Sequence, residues 1–199
     1  MKKLLALALS LCLVLSLCPV FAGAEGPVEL PEGYRWVDLE DLLLPVAPNA
    51  VCYPYIVERG EEQCIVAELL YLDVEGPDFQ PFMYVWWFPN NMSAYLSRVH
   101  PLDYAKQLVR EVAASLREDG CTVSATKAVY GMRRGDVYYM LGSMHIAEGS
   151  IYADGPHDLW VYQRWYGTYD MGTYYFEIYG PTRAHVEAIV RDVEQVVFK

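Results

Sequence analysis

Three observations set this 199-residue chain as an α+β fold: an antiparallel sheet or sheets with two packed helices, in the order β-β-β-α-β-β-β-β-α. Seven segments are rich in β-branched and aromatic residues and bounded by turn residues, the pattern of strands. Two others, opening at Pro101 and Thr182, repeat apolar residues at the 3.6-residue period of a helix. The separators between the last four strands are short turn sequences. None has room for the helical crossover of a parallel pair, so these strands run antiparallel.

Residues 1–24 stand apart from this pattern. Lys2 and Lys3 form a positive start, Leu4 to Leu17 an apolar run, and Ala22-Gly23-Ala24 a small-x-small cleavage pattern, which together read as an export signal cut before Glu25. The run is 14 residues long before Cys18-Pro19, short of the roughly 18 to 20 of a spanning helix. No stable membrane span is expected after cleavage. Leu17 precedes Cys18 and Leu11 precedes Cys12, where a lipoprotein carries a small residue. The expected address is therefore secreted or extracytoplasmic.

Residues 25–50, with Pro27, Pro31, Pro45 and Pro48, read as a loosely structured lead-in laying apolar side chains onto a single domain over 51–199. Val51 to Glu58 and Gln63 to Leu72 form a hairpin about Arg59-Gly60-Glu61-Glu62. Glu75-Gly76-Pro77-Asp78 turns the chain into a third strand, Phe82 to Phe88. Leu102, Ala105, Leu108, Val109, Val112, Ala113 and Leu116 then share one helical stripe. Pro101 suits the first turn, Asp103 the positive end of the dipole, and Gly120 the stop.

Four strands follow: Thr122–Tyr130, Val137–Ile146, Leu159–Tyr166 and Thr173–Tyr179. The last helix places Val186, Ile189, Val190, Val193 and Val197 on one face. Each helix must bury its stripe against a sheet, giving two or three layers. The run Tyr174-Tyr175-Phe176-Glu177-Ile178-Tyr179, passing through Gly180-Pro181 into a helix over Thr182–Phe198, together with this order of elements, resembles the PsbP-like fold. The resemblance implies a fold and carries no activity.

Three cysteines follow the leader. In a tight hairpin about Arg59-Gly60, Cys64 lies opposite Tyr55 and Cys52 opposite Ala67, with the two sulfurs on opposite faces. A disulfide there requires a bulge or a longer loop. Free thiols at Cys52, Cys64 and Cys121 are the expected state.

Charge narrows the partners. The chain carries 15 basic and 26 acidic residues, a formal −11 that becomes −13 when the two leader lysines are removed. A phosphate backbone needs a basic stripe, so nucleic acid is excluded, and an anionic membrane surface is disfavoured for the same reason. No glycine-rich phosphate loop, Gly-x-Ser-x-Gly elbow, His-Glu-x-x-His or Cys-x-x-Cys is present. His100 and His185 read as structural. Asp154, His157 and Asp158 read as a turn rather than a metal site, as do the acidic residues Asp73, Glu75 and Asp78. Arg134-Gly135-Asp136 is ordinary turn chemistry, and Asn91-Met92-Ser93 is a glycosylation sequon. No metal and no cofactor is expected.

Aromatic residues carry the functional expectation. One face of the third late strand holds Trp160, Tyr162, Arg164 and Tyr166, and one face of the fourth holds Tyr175, Glu177 and Tyr179. If Phe176 and Ile178 meet the helices, the two sets lie side by side as an amphipathic platform, with Arg164 facing Glu177. The competing arrangement has the first hairpin, with Tyr53, Tyr55, Trp86 and Trp87, covering that face. The expected function is an exported, non-catalytic binding or interaction protein whose partner is an envelope component, glycan, peptide or protein. The alternative is a secreted hydrolase drawing an acid–base pair from Asp154, His157, Asp158 and Glu177.

Overall fold

The computed structural model describes residues 29–55, 62–72, 79–90, 92–135, 137–150, 153–168 and 172–199. The expected leader at 1–24, the expected turns at 59–60 and 75–78 with the acidic residues Asp73, Glu75 and Asp78, and Asn91 and Asp136 lie outside the described residues.

The architecture is α+β in three layers. Seven strands make one antiparallel sheet: β3 (Ala50–Pro54), β4 (Cys64–Tyr71), β5 (Phe82–Phe88), β6 (Thr122–Arg134), β7 (Val137–Glu148), β8 (His157–Thr168) and β9 (Gly172–Gly180). Their spatial order is β3-β4-β5-β9-β8-β7-β6. The short helix α1 (Ser93–Leu96) leads into α2 (Pro101–Glu118), and α3 (Arg183–Val193) follows β9. α2 lies over β6 and β7, whereas α3 packs on β8 and β9 from the other side of the sheet.

The first correction concerns residues 25–50. Arg35–Asp38 (β1) and Leu42–Val46 (β2) are strands that pair antiparallel, and with Val197–Phe198 (β10) they form a second, three-stranded sheet. Leu42, Leu44 and Val46 are fully buried in the same apolar cluster as Phe176, Ile178 and Val186. Pro45 is tolerated because β10 pairs only with Leu42 and Leu43, so β2 has an open flank at Pro45 and is locally an edge strand.

The second correction is the end of the chain. Thr182 caps α3 by accepting from the His185 amide at 3.2 Å, and the helix stops at Val193 instead of continuing to Phe198. Val197 and Phe198 pair with Leu43 and Leu42 of β2, and the Phe198 ring packs at 5.2 Å from Tyr166 and 5.8 Å from Tyr174. A β-branched and an aromatic residue gain a ladder partner and two rings there, which outweighs another helical turn.

The first hairpin also departs from its expected register. Cys52 pairs with Leu69 and Pro54 with Ala67, and a bulge between Ile65 and Ala67 brings Cys64 onto the same apolar cluster as Cys52. The two thiols thus share a face without facing each other, and Cys52, Cys64 and Cys121 form no disulfide among the described residues. Burial pushes the Cys52 thiol up to about 11. The hairpin does not cover the aromatic face: it extends the sheet edge to edge through β5, which pairs with β9. Tyr53 and Tyr55 stay exposed.

Candidate ligand-binding groove

Because α2 sits over β6 and β7, the same face of β8, β9 and β5 forms a wall beside it. The register aligns Trp86, Tyr175 and Trp165 in one cross-strand row, Tyr84, Glu177 and Gln163 in the next, and Phe82, Tyr179 and Val161 in the third. Directly opposed side chains in an antiparallel ladder are within contact distance, so the first row is a stack. The rings of Trp165 and Tyr175 are 4.3 Å apart and inclined by 12°, and Trp86 continues the stack at 6.1 Å from Tyr175. Phe88 packs 5.4 Å from Trp165, while Tyr104 of α2 meets Trp165 edge-on at 6.4 Å.

Between this wall and α2 run two adjoining hollows of about 550 and 220 Å³, which share Gln63, Glu111, Gln163 and Tyr175. Three carboxylates line them: Glu111 and Asp119 from the helix side, Glu177 from the sheet. No lysine, arginine or histidine lines either hollow among the described residues.

Glu177 is only 7% exposed. Gln163 Nε2 donates to Glu177 Oε1 at 2.9 Å and to the Tyr175 hydroxyl at 3.2 Å, while Trp165 Nε1 donates to Gln163 Oε1 at 3.4 Å. This neutral network orients the carboxylate without neutralising it. Burial raises the Tyr175 phenol well above its ordinary value, and the nearby Glu177 raises it further. Tyr84 and Tyr104 are likewise raised, chiefly by burial, with smaller contributions from Glu177. Three carboxylates and no described cationic side chain make the lining of the groove acidic. Aromatic faces are negative as well, and the Trp86 indole nitrogen is buried without a hydrogen-bond partner among the described residues.

The expected platform is divided between two faces. Tyr175, Glu177 and Tyr179 line the groove. Trp160, Tyr162, Arg164 and Tyr166 lie on the opposite face of β8, because Tyr162 pairs with Ile178, Arg164 with Phe176 and Tyr166 with Tyr174. Arg164 does not face Glu177. Its guanidinium lies over the rings of Tyr139 and Tyr166, at 4.6 and 4.9 Å, and donates to Glu194 Oε1 at 3.2 Å. Tyr162 is 1% exposed, and the Tyr166 hydroxyl donates to the Val193 carbonyl at 2.9 Å. Arg164 and Tyr166 tie β8 to the end of α3, Tyr166 also packs on Phe198 of the small sheet, and Trp160 and Tyr162 join the apolar cluster on that face. Sequence reasoning missed Trp165, Gln163, Tyr104 and Glu111 and named Trp86 only as part of a covering hairpin; the alternation along β8 that groups Trp160, Tyr162, Arg164 and Tyr166 puts Gln163 and Trp165 together on the other face, and that signal went unused.

The acid–base set does not converge. His157 and Asp158, adjacent on β8, point to opposite faces. His157 is buried, with Nδ1 at 2.9 Å from the Gly155 carbonyl, whereas the exposed Asp158 pairs with His145 Nδ1 at 2.8 Å. Glu177 stands opposite Gln163, six residues along β8 from His157.

No family model matches the chain, and no curated protein matches it. Among solved structures, the solution structure of cyanobacterial PsbP (CyanoP) from Synechocystis sp. PCC 6803 is similar, with a TM-score of 0.50 at 6% sequence identity, over 89% of this chain and 99% of that one. The fold is PsbP-like. Among the described residues, no helix is long and apolar enough to cross a membrane.

Proposed function

We propose that this chain is an exported, non-catalytic binding protein that holds an organic cation in the groove between α2 and the β5-β9-β8 wall. One observation carries the reading: a buried carboxylate, Glu177, sits beside a stacked row of Trp86, Tyr175 and Trp165 in a hollow with two further carboxylates and no described cationic side chain. A buried charge is stable when paired, and a quaternary or protonated amine pairs with it while its alkyl groups lie on the ring faces. The chain's excess of acidic residues favours the approach of such a ligand. The leader at residues 1–24 supports an extracytoplasmic address.

The test is a titration of the full chain with choline, followed by tryptophan fluorescence. Saturable binding is expected. In Glu177→Gln the new amide oxygen still accepts from Gln163, so the melting temperature stays near that of the parent, but affinity falls at least about tenfold, or ~1.4 kcal/mol. Equal affinity in the two proteins contradicts the assignment.

A further inference from the structure

A second cavity, of about 470 Å³, opens on the other side of the seven-stranded sheet, and none of its described lining residues belongs to the groove. It lies between α3, the end of β4 and the segments flanking β1 and β2. Two buried polar groups line it. Tyr71 is 4% exposed and its hydroxyl has no hydrogen-bond partner among the described residues. Asp192 of α3 is 5% exposed, with the Tyr34 hydroxyl and Arg191 as electrostatic neighbours. Burial pushes the Asp192 carboxyl up to about 6, against the opposing pull of Tyr34 and Arg191. Asp192 in turn helps to raise the Tyr71 phenol, so the two groups are electrostatic neighbours.

An unpartnered buried hydroxyl is unfavourable, and a ligand atom that accepts from it removes the penalty. Tyr71 calls for an acceptor and Asp192 for a donor, and a hydroxyl can serve as either, so an uncharged polyol meets both groups. The charge balance differs from that of the groove, because His185 and Arg191 stand in the wall with Asp192. The site therefore has no excess charge for an ionic ligand to neutralise. Ile189 and Pro81 supply apolar wall, which suits the C–H face of a ring, and the volume falls within the range of small-molecule sites.

We infer that this cavity binds an uncharged hydroxylated ring, a pyranose sugar, whose ring hydroxyls accept from Tyr71 and donate to Asp192. The assignment is independent of the cation reading.

The experiment measures melting temperature and affinity of the full chain with glucose, galactose and N-acetylglucosamine, for the parent, Tyr71→Phe and Glu177→Gln. At least one sugar raises the melting temperature of the parent by mass action. Tyr71→Phe without sugar melts at or above the parent, because only an unpartnered hydroxyl is removed, and its affinity for that sugar falls at least tenfold. Glu177→Gln keeps the parent's sugar response. The inference is overturned if no sugar acts on the parent, or if Tyr71→Phe responds as the parent does. It is also overturned if Tyr71→Phe alone melts several degrees lower, which identifies a hydroxyl already satisfied inside the folded chain.

Discussion

Trp165→Ala is expected to lower the free energy of unfolding by about 3–5 kcal/mol and to abolish choline binding. Trp165 is 5% exposed, stacks on Tyr175 at 4.3 Å, packs against Phe88 and Tyr104, and donates to the Gln163 amide that orients Glu177. Truncation removes a large buried ring, leaves a cavity between β8 and α2, and frees Gln163 to rotate away from the carboxylate. Urea denaturation reads the first effect and fluorescence titration, through the remaining Trp86, reads the second. Trp160→Ala is the control. Trp160 is half-buried on the opposite face of β8 and pairs with Gly180, so its loss weakens the fold while choline binding persists. Parallel losses of choline binding in both variants contradict the assignment of the two faces.

Gly131→Val is expected to have the next largest effect. A Cβ at Gly131 would stand 2.0 Å from the Pro101 carbonyl oxygen and 2.6 Å from the Leu102 amide nitrogen, both backbone atoms of the first turn of α2. A flexible side chain yields to such a clash; a helix start does not. The helix must lift from β6, and the expected loss is at or beyond the upper end of the ~1–3 kcal/mol typical of overpacking. Because Tyr104 and Glu111 ride on α2, the groove widens as well. Thermal unfolding and choline titration should both weaken, with helix content by circular dichroism largely preserved. A variant melting with the parent would show that α2 does not rest on Gly131.

Local signals made much of the fold readable. The helix α2 combined Pro101, Asp103, a continuous stripe and Gly120 within one segment, and the structure places it over Pro101–Glu118. The strand Phe82–Phe88 likewise matches β5. Where local signals competed with distant partners, the sequence was mute. Leu42–Val46 contains Pro45 and lies among turn residues, so nothing local announces the strand that Arg35–Asp38 and Val197–Phe198 complete. The valines after Val193 fit a helical stripe as well as a strand, and the choice is made by the edge of β2.

The site was half readable for a similar reason. Tyr175, Glu177 and Tyr179 were identifiable as one alternating set, and they do line the groove. Which set of β8 joins them depends on register, and the register pairs Trp160 with Gly180. Residues of equal parity therefore share a face, so Trp165 and Gln163 stand beside Tyr175 and Glu177 in place of Tyr162 and Arg164. A one-residue change in the β8–β9 turn inverts that outcome. The insertion of β5 beside β9, which brings Trp86 to the stack, joins segments some ninety residues apart and leaves no local trace.

Calorimetric titration of the full chain with choline and with dimethylbutanol, its uncharged carbon isostere, separates charge recognition from simple burial of a bulky alkyl group. The groove described above predicts saturable binding of choline and at least about tenfold weaker binding of the isostere, the factor expected from ~1.4 kcal/mol of cation–aromatic and carboxylate attraction. Equal affinities, tighter binding of the alcohol, or no heat from choline at all would contradict a groove built for an organic cation.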